Sequence, residues 1–315
     1  METDQILREI SKRSAVGEAY QYLTVSADEV VVSAAAGVSG RAKSVGIYAI
    51  ARAVNDVAAG GARPEQIALQ VYLSSPEQKK RVKPMIRFME EYACQLPVEI
   101  TGVQIETVPY LEQPLVYVSV MGKAEKAKLL STTRVRPGQS IVLCGYVGLE
   151  GMLRILDERR QELSKRFTPA FINQMTELKS ILTPLPAIQA AIMADVCAVY
   201  QIKSGGILAA LWELGESAGV GMELQLSNMS IRQETIEVCE FYHLNPYQMT
   251  SAGSFLMVTD DADRLTAAIT AGGSRASKLG ITTGGKAKVI TSGTEKRFLD
   301  RPVPDELMRW AQEAK

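Results

Sequence analysis

An amphipathic helix that ends on an adjacent amide and carboxylate is the sequence feature that most constrains this fold. Residues 44–59 place apolar side chains at steps of three and four, which is the period of a helix with one buried face. Asn55 and Asp56 lie in its last part, and the glycine pair at 60–61 follows them. Glycine commonly ends a helix and Pro64 cannot continue one, so the chain must turn here into a new element.

Strand-like and helix-like runs alternate along the rest of the chain. Its 315 residues are about twice the length of a typical single domain, which predicts two domains. The first half is typical of a compact α+β unit, and the second half contains two strand–turn–helix units. A basic stretch at 122–139 separates them. We therefore predict an α/β (α+β) protein with a first domain at 1–125, a second at 136–300 and a C-terminal tail at 301–315.

Composition excludes several classes of function. Lys+Arg and Asp+Glu both number 35, so the chain lacks the positive field on which general nucleic-acid binding relies. The four cysteines show no CxxC spacing, and the single histidine cannot complete a His-rich metal site. Residues 1–14 lack the apolar core of an export signal, and no run reaches the roughly 18 apolar residues of a membrane span. We expect a soluble, cytoplasmic protein with reduced thiols that binds neither nucleic acid nor membrane.

A glycine turn in the second half is the first candidate binding site. It consists of Lys203, Ser204, Gly205 and Gly206. Because it joins a predicted strand to a predicted helix, its backbone N–H groups and the helix dipole favour a phosphate. A serine cap on a tight turn would give the same pattern in an ordinary helix. Residues 147–151 have the same shape, and there Glu150 is either part of a site or only a favourable first-turn charge.

Two acids outside these turns are candidate ligands of a metal or nucleotide. Asp56, beside Asn55, opposes the negative end of its own helix dipole, so a metal ion, a lysine or solvent must offset its charge. Glu106 lies near the end of the predicted strand 98–108, where it is either a second acid of the site or an edge-strand surface residue. His243 follows a predicted helix and is more typical of a helix C-terminal cap than of a catalytic base.

Six stretches of the chain follow a known family pattern when they are taken in order. They are residues 54–64, 136–139, 147–151, 205–221, 231–247 and 251–254. Together they resemble the aminoimidazole-ribonucleotide (AIR) synthase-related superfamily with the PurM-like fold, and within it the hydrogenase-maturation HypE-like branch. Order, spacing and residue types agree best over residues 209–254.

The resemblance implies an N-terminal domain that pairs with a second subunit and a C-terminal α/β domain. It also implies ATP and Mg²⁺ as ligands, held between the domains for phosphoryl transfer to an amide, carboxylate or carbonyl oxygen. Asn55 and Asp56 match the family's Asn/Ser-Asp pair, and Glu106 matches an acid of its Gly-Gly-His-Thr-Glu-like segment. On this resemblance Asp56 and Glu106 are metal ligands. The nucleotide-binding set adds Asn55 and the turn at 203–206, and no catalytic residue is assigned.

The chain departs from the family pattern mainly where relatives carry acids. Between Ser11 and Asp28 there is no loop of the Gly-x-Gly-x-Asp-Asp type. Residues of other types stand at further family positions, namely Ala36, Ser44, Val103, Gln104, Gln201, Lys203 and Ser204. Mg²⁺ needs several hard oxygen ligands, whereas Lys203 can meet a phosphate without a metal. Residues 305–315 also lack the C-terminal cysteine that the HypE type modifies, so we do not expect that specific activity.

Two functions are consistent with this pattern. The first is a non-catalytic binding or regulatory homodimer whose ancestral Mg-ATP site is eroded. The second is an enzyme that still binds ATP or a small phosphorylated ligand and activates an oxygen by phosphoryl transfer. We expect a homodimer through the N-terminal domain, because residues 29–35 and 115–121 are too apolar to stand as solvated sheet edges.

Overall fold

The computed structural model of the chain describes residues 23–313. Residues 1–22, where the predicted first domain begins, and 314–315, where the predicted tail ends, lie outside the described residues. The chain divides into two compact units, Met1–Ala58 with Ala62–Leu129 and Ala59–Gly61 with Leu130–Lys315. Both units combine helices with a sheet, so the predicted mixed, two-domain fold is confirmed. The particular bounds at 125, 136 and 300 stay predictions.

The first unit is built on one mixed sheet. Its elements within residues 23–129 are β1 (Glu29–Ser39), α1 (Val45–Ala59), β2 (Arg63–Leu73), α2 (Lys79–Ala93), β3 (Glu99–Thr107) and β4 (Leu115–Glu125). The four strands described in this part of the chain have the order β1–β4–β2–β3. Strand β4 runs antiparallel to β1 and β2, and β2 runs parallel to β3. Helix α1 is the helix predicted at 44–59, and it ends before the glycine pair as expected.

One face of this sheet is buried and the other is partly exposed. Leu69 on β2 and Val118 on β4 are at most 1% exposed, whereas Tyr117, on the opposite face of β4, is 39% exposed. Helix α1 packs on the buried face, because a Cβ added at Gly122 of β4 would lie 2.8 Å from Val57 Cγ1. Glycine at position 122 therefore lets the helix approach the sheet closely.

The position of β4 corrects one sequence prediction. We expected residues 115–121 to lie at a sheet edge that a second subunit would cover, because they are too apolar to remain solvated. Strand β4 is instead central, since it pairs with β1 on one side and with β2 on the other. Its apolar character is explained by pairing and burial inside the unit. Strand β1, which contains residues 29–35, does lie at an edge of the sheet.

The second unit carries a larger sheet with several helices. Its strands within residues 130–313 are β5 (Ser140–Cys144), β6 (Ala198–Gln201), β7 (Gly221–Gln225), β8 (Phe255–Thr259), β9 (Ala276–Thr283), β10 (Lys288–Ser292) and β11 (Glu295–Phe298). The longer helices there are α3 (Leu149–Arg166), α4 (Pro169–Glu177), α5 (Leu185–Met193), α6 (Gly206–Ala218), α7 (Gln233–Phe241), α8 (Ala262–Ala271) and α9 (Glu306–Glu313). The seven strands described in this unit have the order β11–β10–β7–β9–β5–β8–β6.

The core of the second unit lies along the inner strands. Every residue of β5 and of β8 is buried, so both faces of the sheet are covered at its centre. In contrast, all four residues of the edge strand β11 are exposed. Neither β11 nor α9 was predicted from the sequence, because both are short and β11 is mostly charged. Over residues 23–313 no helix is both long enough and apolar enough to cross a membrane.

Candidate functional site

The predicted anion turn lies directly before helix α6. Gly205 and Gly206 adopt φ of 81° and 67°, in the left-handed region that favours glycine. A Cβ added at Gly206 would lie 2.7 Å from the backbone nitrogen of Met249, so the turn also needs glycine for close packing. Gly205 is the residue that caps the helix, and Ser204 is exposed. The alternative of a serine cap is therefore wrong, although the glycines do serve a tight turn.

A carboxylate from the C-terminal segment occupies this turn. The Gly205 N–H donates to Oδ2 of Asp305 over 2.7 Å, and the Leu307 N–H donates to Oδ1 over 2.8 Å. Asp305 is only 5% exposed, so its charge is stabilised by these donors and by the N-terminal ends of α6 and α9. A phosphate that approached Gly205 would have to displace this carboxylate. The predicted use of Lys203, Ser204, Gly205 and Gly206 as a phosphate site stays a prediction.

Sequence reasoning missed Asp305, although a signal was present. Aspartate directly before a helix commonly caps it, and Asp305 follows Pro304 and precedes Glu306 and Leu307. The cap of α9 was therefore readable from the sequence. The second contact, which joins this cap to a turn 100 residues earlier, required the fold.

The second glycine turn also holds a carboxylate of the chain itself. Glu150, in the first turn of α3, is fully buried, and its Oε2 accepts hydrogen bonds from Thr250 Oγ1 over 2.7 Å and from the Ala252 N–H over 3.1 Å. The N–H of Gly148 donates to Oγ of Ser251 over 2.6 Å. Glu150 is thus more than a favourable first-turn charge, because it fixes the loop that precedes β8 against the start of α3.

Asn55 and Asp56 lie in the last turn of α1. Asn55 is 0% exposed and Asp56 is partly buried. The helix is covered on several sides, so an amide here is held inside the protein while the neighbouring carboxylate remains partly accessible. This is compatible with the predicted nucleotide or metal site.

Glu106 lies on the face of the first sheet that α1 does not cover. In the β2–β3 register it pairs with Tyr72, whereas the buried Val71 pairs with Ile105 on the opposite face. Glu106 is exposed on an edge strand, and its Oε1 accepts a hydrogen bond from Gln104 Nε2 over 2.5 Å. The structure therefore carries Glu106 on the uncovered face, while Asp56 belongs to a helix on the covered face.

Metal ligation by Asp56 and Glu106 stays a prediction. Among residues 23–313, no three histidine, cysteine, aspartate or glutamate side chains lie close enough together to hold a metal ion. Two of the substituted family positions are interior, since Ser44 is 6% exposed and Gln201 is 3% exposed. Lys203, another of the substituted positions, is exposed.

His243 has a structural position, as the sequence suggested. It follows α7 with φ of 54°, and the next residue, Leu244, donates its N–H to Cys239 O over 2.8 Å. A left-handed residue at this place is typical of a helix C-terminus. The carbonyl oxygen of His243 accepts a hydrogen bond from Nη2 of Arg309 over 2.8 Å.

Family models match most of the chain and identify its class. The model for the AIR synthase related protein, N-terminal domain, matches residues 13–124, and the model for the C-terminal domain matches residues 136–293. The chain therefore belongs to the AIR synthase-related family, and the family resemblance drawn from its motifs is confirmed.

The relatives of this chain include hydrogenase-maturation proteins. The carbamoyl dehydratase HypE of Rhodobacter capsulatus is 24% identical over 275 residues, which cover 84% of this chain and 78% of the relative. A solved structure of the hydrogenase maturation protein HypE in complex with ATP gives a TM-score of 0.78 at 16% identity and covers 98% of this chain and 97% of the other. A solved HypE–HypF complex gives 0.69 at 18% identity, with 87% and 90% covered. At these identities the structures establish a shared fold.

Proposed function

We propose that this protein is a HypE-like, cytoplasmic homodimer that acts by binding a ligand or a partner and does not run the Mg-ATP reaction of its relatives. The observation that carries the proposal is the Asp305 carboxylate in the glycine turn before α6. A turn of this kind attracts anions, and here a charge of the chain itself already meets the Gly205 N–H.

The substituted family positions support the same proposal. A triphosphate with Mg²⁺ needs several carboxylates around the metal. The chain has Ser44 and Gln201 at two such positions, and both are buried. A neutral side chain is stable in the interior without a cation, whereas a buried carboxylate would need one or several hydrogen-bond donors. The substitutions thus fit a site that no longer concentrates negative charge around a metal.

Titration with Mg-ATP tests this function. We expect ATP hydrolysis well below the ordinary enzymatic range of about 1 s⁻¹ and above. Asp56→Asn should leave the residual rate unchanged, because the proposal gives this carboxylate no catalytic role. Turnover in the ordinary range that Asp56→Asn abolishes would overturn the proposal and support an enzyme instead.

The homodimer is proposed to form through the uncovered face and the β1 edge of the first sheet. Val31 on β1 is 45% exposed and Tyr117 on β4 is 39% exposed, and both lie on this face. Pairing of two such faces would remove apolar surface from water. We expect a dimer at micromolar concentration in sedimentation velocity, and Tyr117→Arg should weaken it. Tyr110→Arg is the matched control, since Tyr110 is 95% exposed in a loop. A monomeric wild-type protein would contradict this.

A second function, an ATP-dependent or phosphate-binding enzyme of the HypE type, is favoured by different residues. Asn55 is fully buried beside the partly buried Asp56, and Glu106 stands where relatives carry an acid. The solved relative in complex with ATP shares the fold. Calorimetric titrations with ATP, with and without Mg²⁺, separate the two functions. Mg²⁺-dependent binding that both Asp56→Asn and Glu106→Gln weaken would favour the enzyme.

A further inference from the structure

The C-terminal segment, residues 299–313, contacts the rest of the second unit at Leu299 and again at Asp305. At its start the Leu299 N–H donates to Lys288 O over 2.8 Å, and Leu299 is 6% exposed. Farther along, Asp305 bridges the Gly205 N–H and the Leu307 N–H. The segment therefore closes a loop that begins at the edge of the sheet and ends on the first turn of α6.

Helix α9 adds contacts to the residues that follow α7. The Asn245 N–H donates to Oε2 of Glu306 over 3.0 Å, and Nη2 of Arg309 donates to His243 O over 2.8 Å. The ring of Trp310 meets the ring of Tyr242 edge-on, with centroids 5.9 Å apart. The contacts with Asn245 and His243 are hydrogen bonds of partly exposed groups, which open and close at low free-energy cost. Leu307 and Trp310 are 6% and 8% exposed, so opening of α9 must also expose these two apolar side chains.

The middle of the segment is not tied down in the same way. Residues 300–304 have no regular secondary structure, and all five are exposed. They can therefore follow a movement of α9 without disturbing β11 or the core of the unit.

A small cavity lies under this exposed stretch and beside the glycine turn. Its volume is about 80 Å³, and Gly205, Leu208 and Asn245 line it together with Arg297 and Arg301. Arginine guanidinium groups bind phosphate through several hydrogen bonds at once. The cavity thus places two arginines beside the turn whose Gly205 N–H donates to the Asp305 carboxylate.

We propose that residues 299–313 form an autoinhibitory latch, in which the Asp305 carboxylate holds the place of a phosphate group at the N-terminus of α6. A small phosphorylated molecule competes with Asp305 for the Gly205 turn and binds with Arg297 and Arg301 when the latch opens. This inference rests on the proposed function as a binding protein and adds its regulation and its ligand class.

Competition between the latch and the ligand has two measurable consequences. A ligand that binds only the open form has an apparent dissociation constant raised by the inverse of the open fraction. Weakening the latch should therefore tighten phosphate binding. By linkage, phosphate must in turn favour the open form and release Trp310 from Tyr242.

The test uses Trp310 as its reporter. Trp212 and Trp310 are the two tryptophans of the chain, so in the Trp212→Phe variant all tryptophan fluorescence comes from Trp310. In this background, inorganic phosphate and AMP are titrated by calorimetry, and acrylamide quenching of Trp310 is followed. Asp305→Asn should tighten binding of inorganic phosphate about tenfold or more and increase the quenching. AMP binding that tightens more than phosphate binding would identify a nucleotide rather than a free phosphate as the source of the phosphate group.

Asp300→Asn is the matched control. It removes one negative charge beside the same cavity, but Asp300 is exposed and does not hold the Gly205 turn. Lys203→Glu in the Asp305→Asn background should abolish the gain in phosphate affinity. That result would locate phosphate binding at this turn. If Asp305→Asn does not fold, Arg309→Ala is used in its place, because it removes the α9 contact with His243 O, together with the ion pairs to Glu306 and Glu313, and keeps Asp305.

Unchanged or weaker phosphate binding in the deciding variant would overturn the latch, and Asp305 would then be a helix cap only. An equal gain in phosphate affinity from Asp300→Asn would also overturn the latch, since the gain would then come from the change in net charge. Rapid Mg-ATP turnover by the wild-type protein would instead overturn the proposed function, so the two failures are distinguishable.

Discussion

Truncation of Glu150 should destabilise the second unit strongly. Glu150 is 0% exposed, and its Oε2 accepts hydrogen bonds from the Thr250 hydroxyl and the Ala252 N–H. Both donors are buried as well, at 1% and 0% exposure. Glu150→Ala leaves the two donors without their acceptor at the first turn of α3.

The size of the effect follows from these contacts. A buried donor that loses its partner costs about 1–3 kcal/mol, so two donors cost about 2–6 kcal/mol. Loss of a negative charge at a helix N-terminus adds about 0.3–1 kcal/mol, and the desolvation of a buried carboxylate that is no longer required offsets part of the total. We expect Glu150→Ala to lower the free energy of unfolding by about 3–4 kcal/mol. Glu150→Gln keeps an oxygen that can accept both bonds and should cost about 1 kcal/mol.

Urea unfolding followed by tryptophan fluorescence measures this effect, because the fluorescence reports on the second structural unit. The tryptophans of the chain, Trp212 and Trp310, both belong to the second unit, so their signal reports its unfolding. Gln161→Ala, at an exposed position of α3, is the control and should change stability by less than about 0.5 kcal/mol.

A double-mutant cycle with Thr250→Val tests the cause. If the hydroxyl and the carboxylate interact as described, the two substitutions together should cost about 1 kcal/mol less than the sum of their separate costs. Additive costs, or a Glu150→Ala effect as small as that of Gln161→Ala, would refute the reasoning and show that the carboxylate does not hold the loop.

Further predictions concern the thiols and the glycine turn. Burial raises the pKa of the Cys144 and Cys239 thiols to about 12. An unfolded thiol titrates near pH 8.5, so the free energy of unfolding should fall above that pH by about 1.4 kcal/mol per unit for each thiol, and Cys239→Ala should reduce this slope in urea titrations at pH 8–10. Thiol labelling of the native protein should reach the exposed Cys94 first. Gly206→Ala should destabilise by about 3 kcal/mol or more, because its Cβ meets backbone, whereas Gly273→Ala, with φ of 83° and open space around it, should cost only about 1–2 kcal/mol in thermal unfolding.

The sequence was sufficient for elements whose pattern is long and regular. Helix α1 was predicted because its apolar period and the glycine pair at 60–61 agree. The helices α4 and α5 have Pro169 and Pro186 in their first turns, where proline is common. The turn at Gly205 was located because a buried strand, two glycines and an apolar helix follow one another. In each case local signals and the tertiary fold favour the same structure.

Contacts between distant segments could not be predicted in this way. The β1–β4 and β2–β4 pairings make β4 central, and no local pattern distinguishes a central strand from an apolar edge. The face on which Glu106 lies depends on the register with Tyr72, since a shift by one residue would turn the carboxylate to the covered side. The Asp305 contact with Gly205 links positions 100 residues apart.

The two glycine turns of the second unit satisfy their backbone donors with side chains of the protein itself. A helix N-terminus leaves N–H groups without partners inside the helix, and a buried turn cannot leave them to water. In this chain the Gly148 N–H, before α3, donates to Oγ of Ser251, and the Gly205 N–H, before α6, donates to the Asp305 carboxylate. Glu150 fixes the loop that carries Ser251, because its Oε2 accepts hydrogen bonds from Thr250 and Ala252. A side chain of the protein therefore satisfies an N–H donor at each turn. At α3 the acceptor is a hydroxyl, and at α6 it is a carboxylate that reaches the turn from the end of an exposed stretch of chain and that, in our proposal, a phosphate can replace.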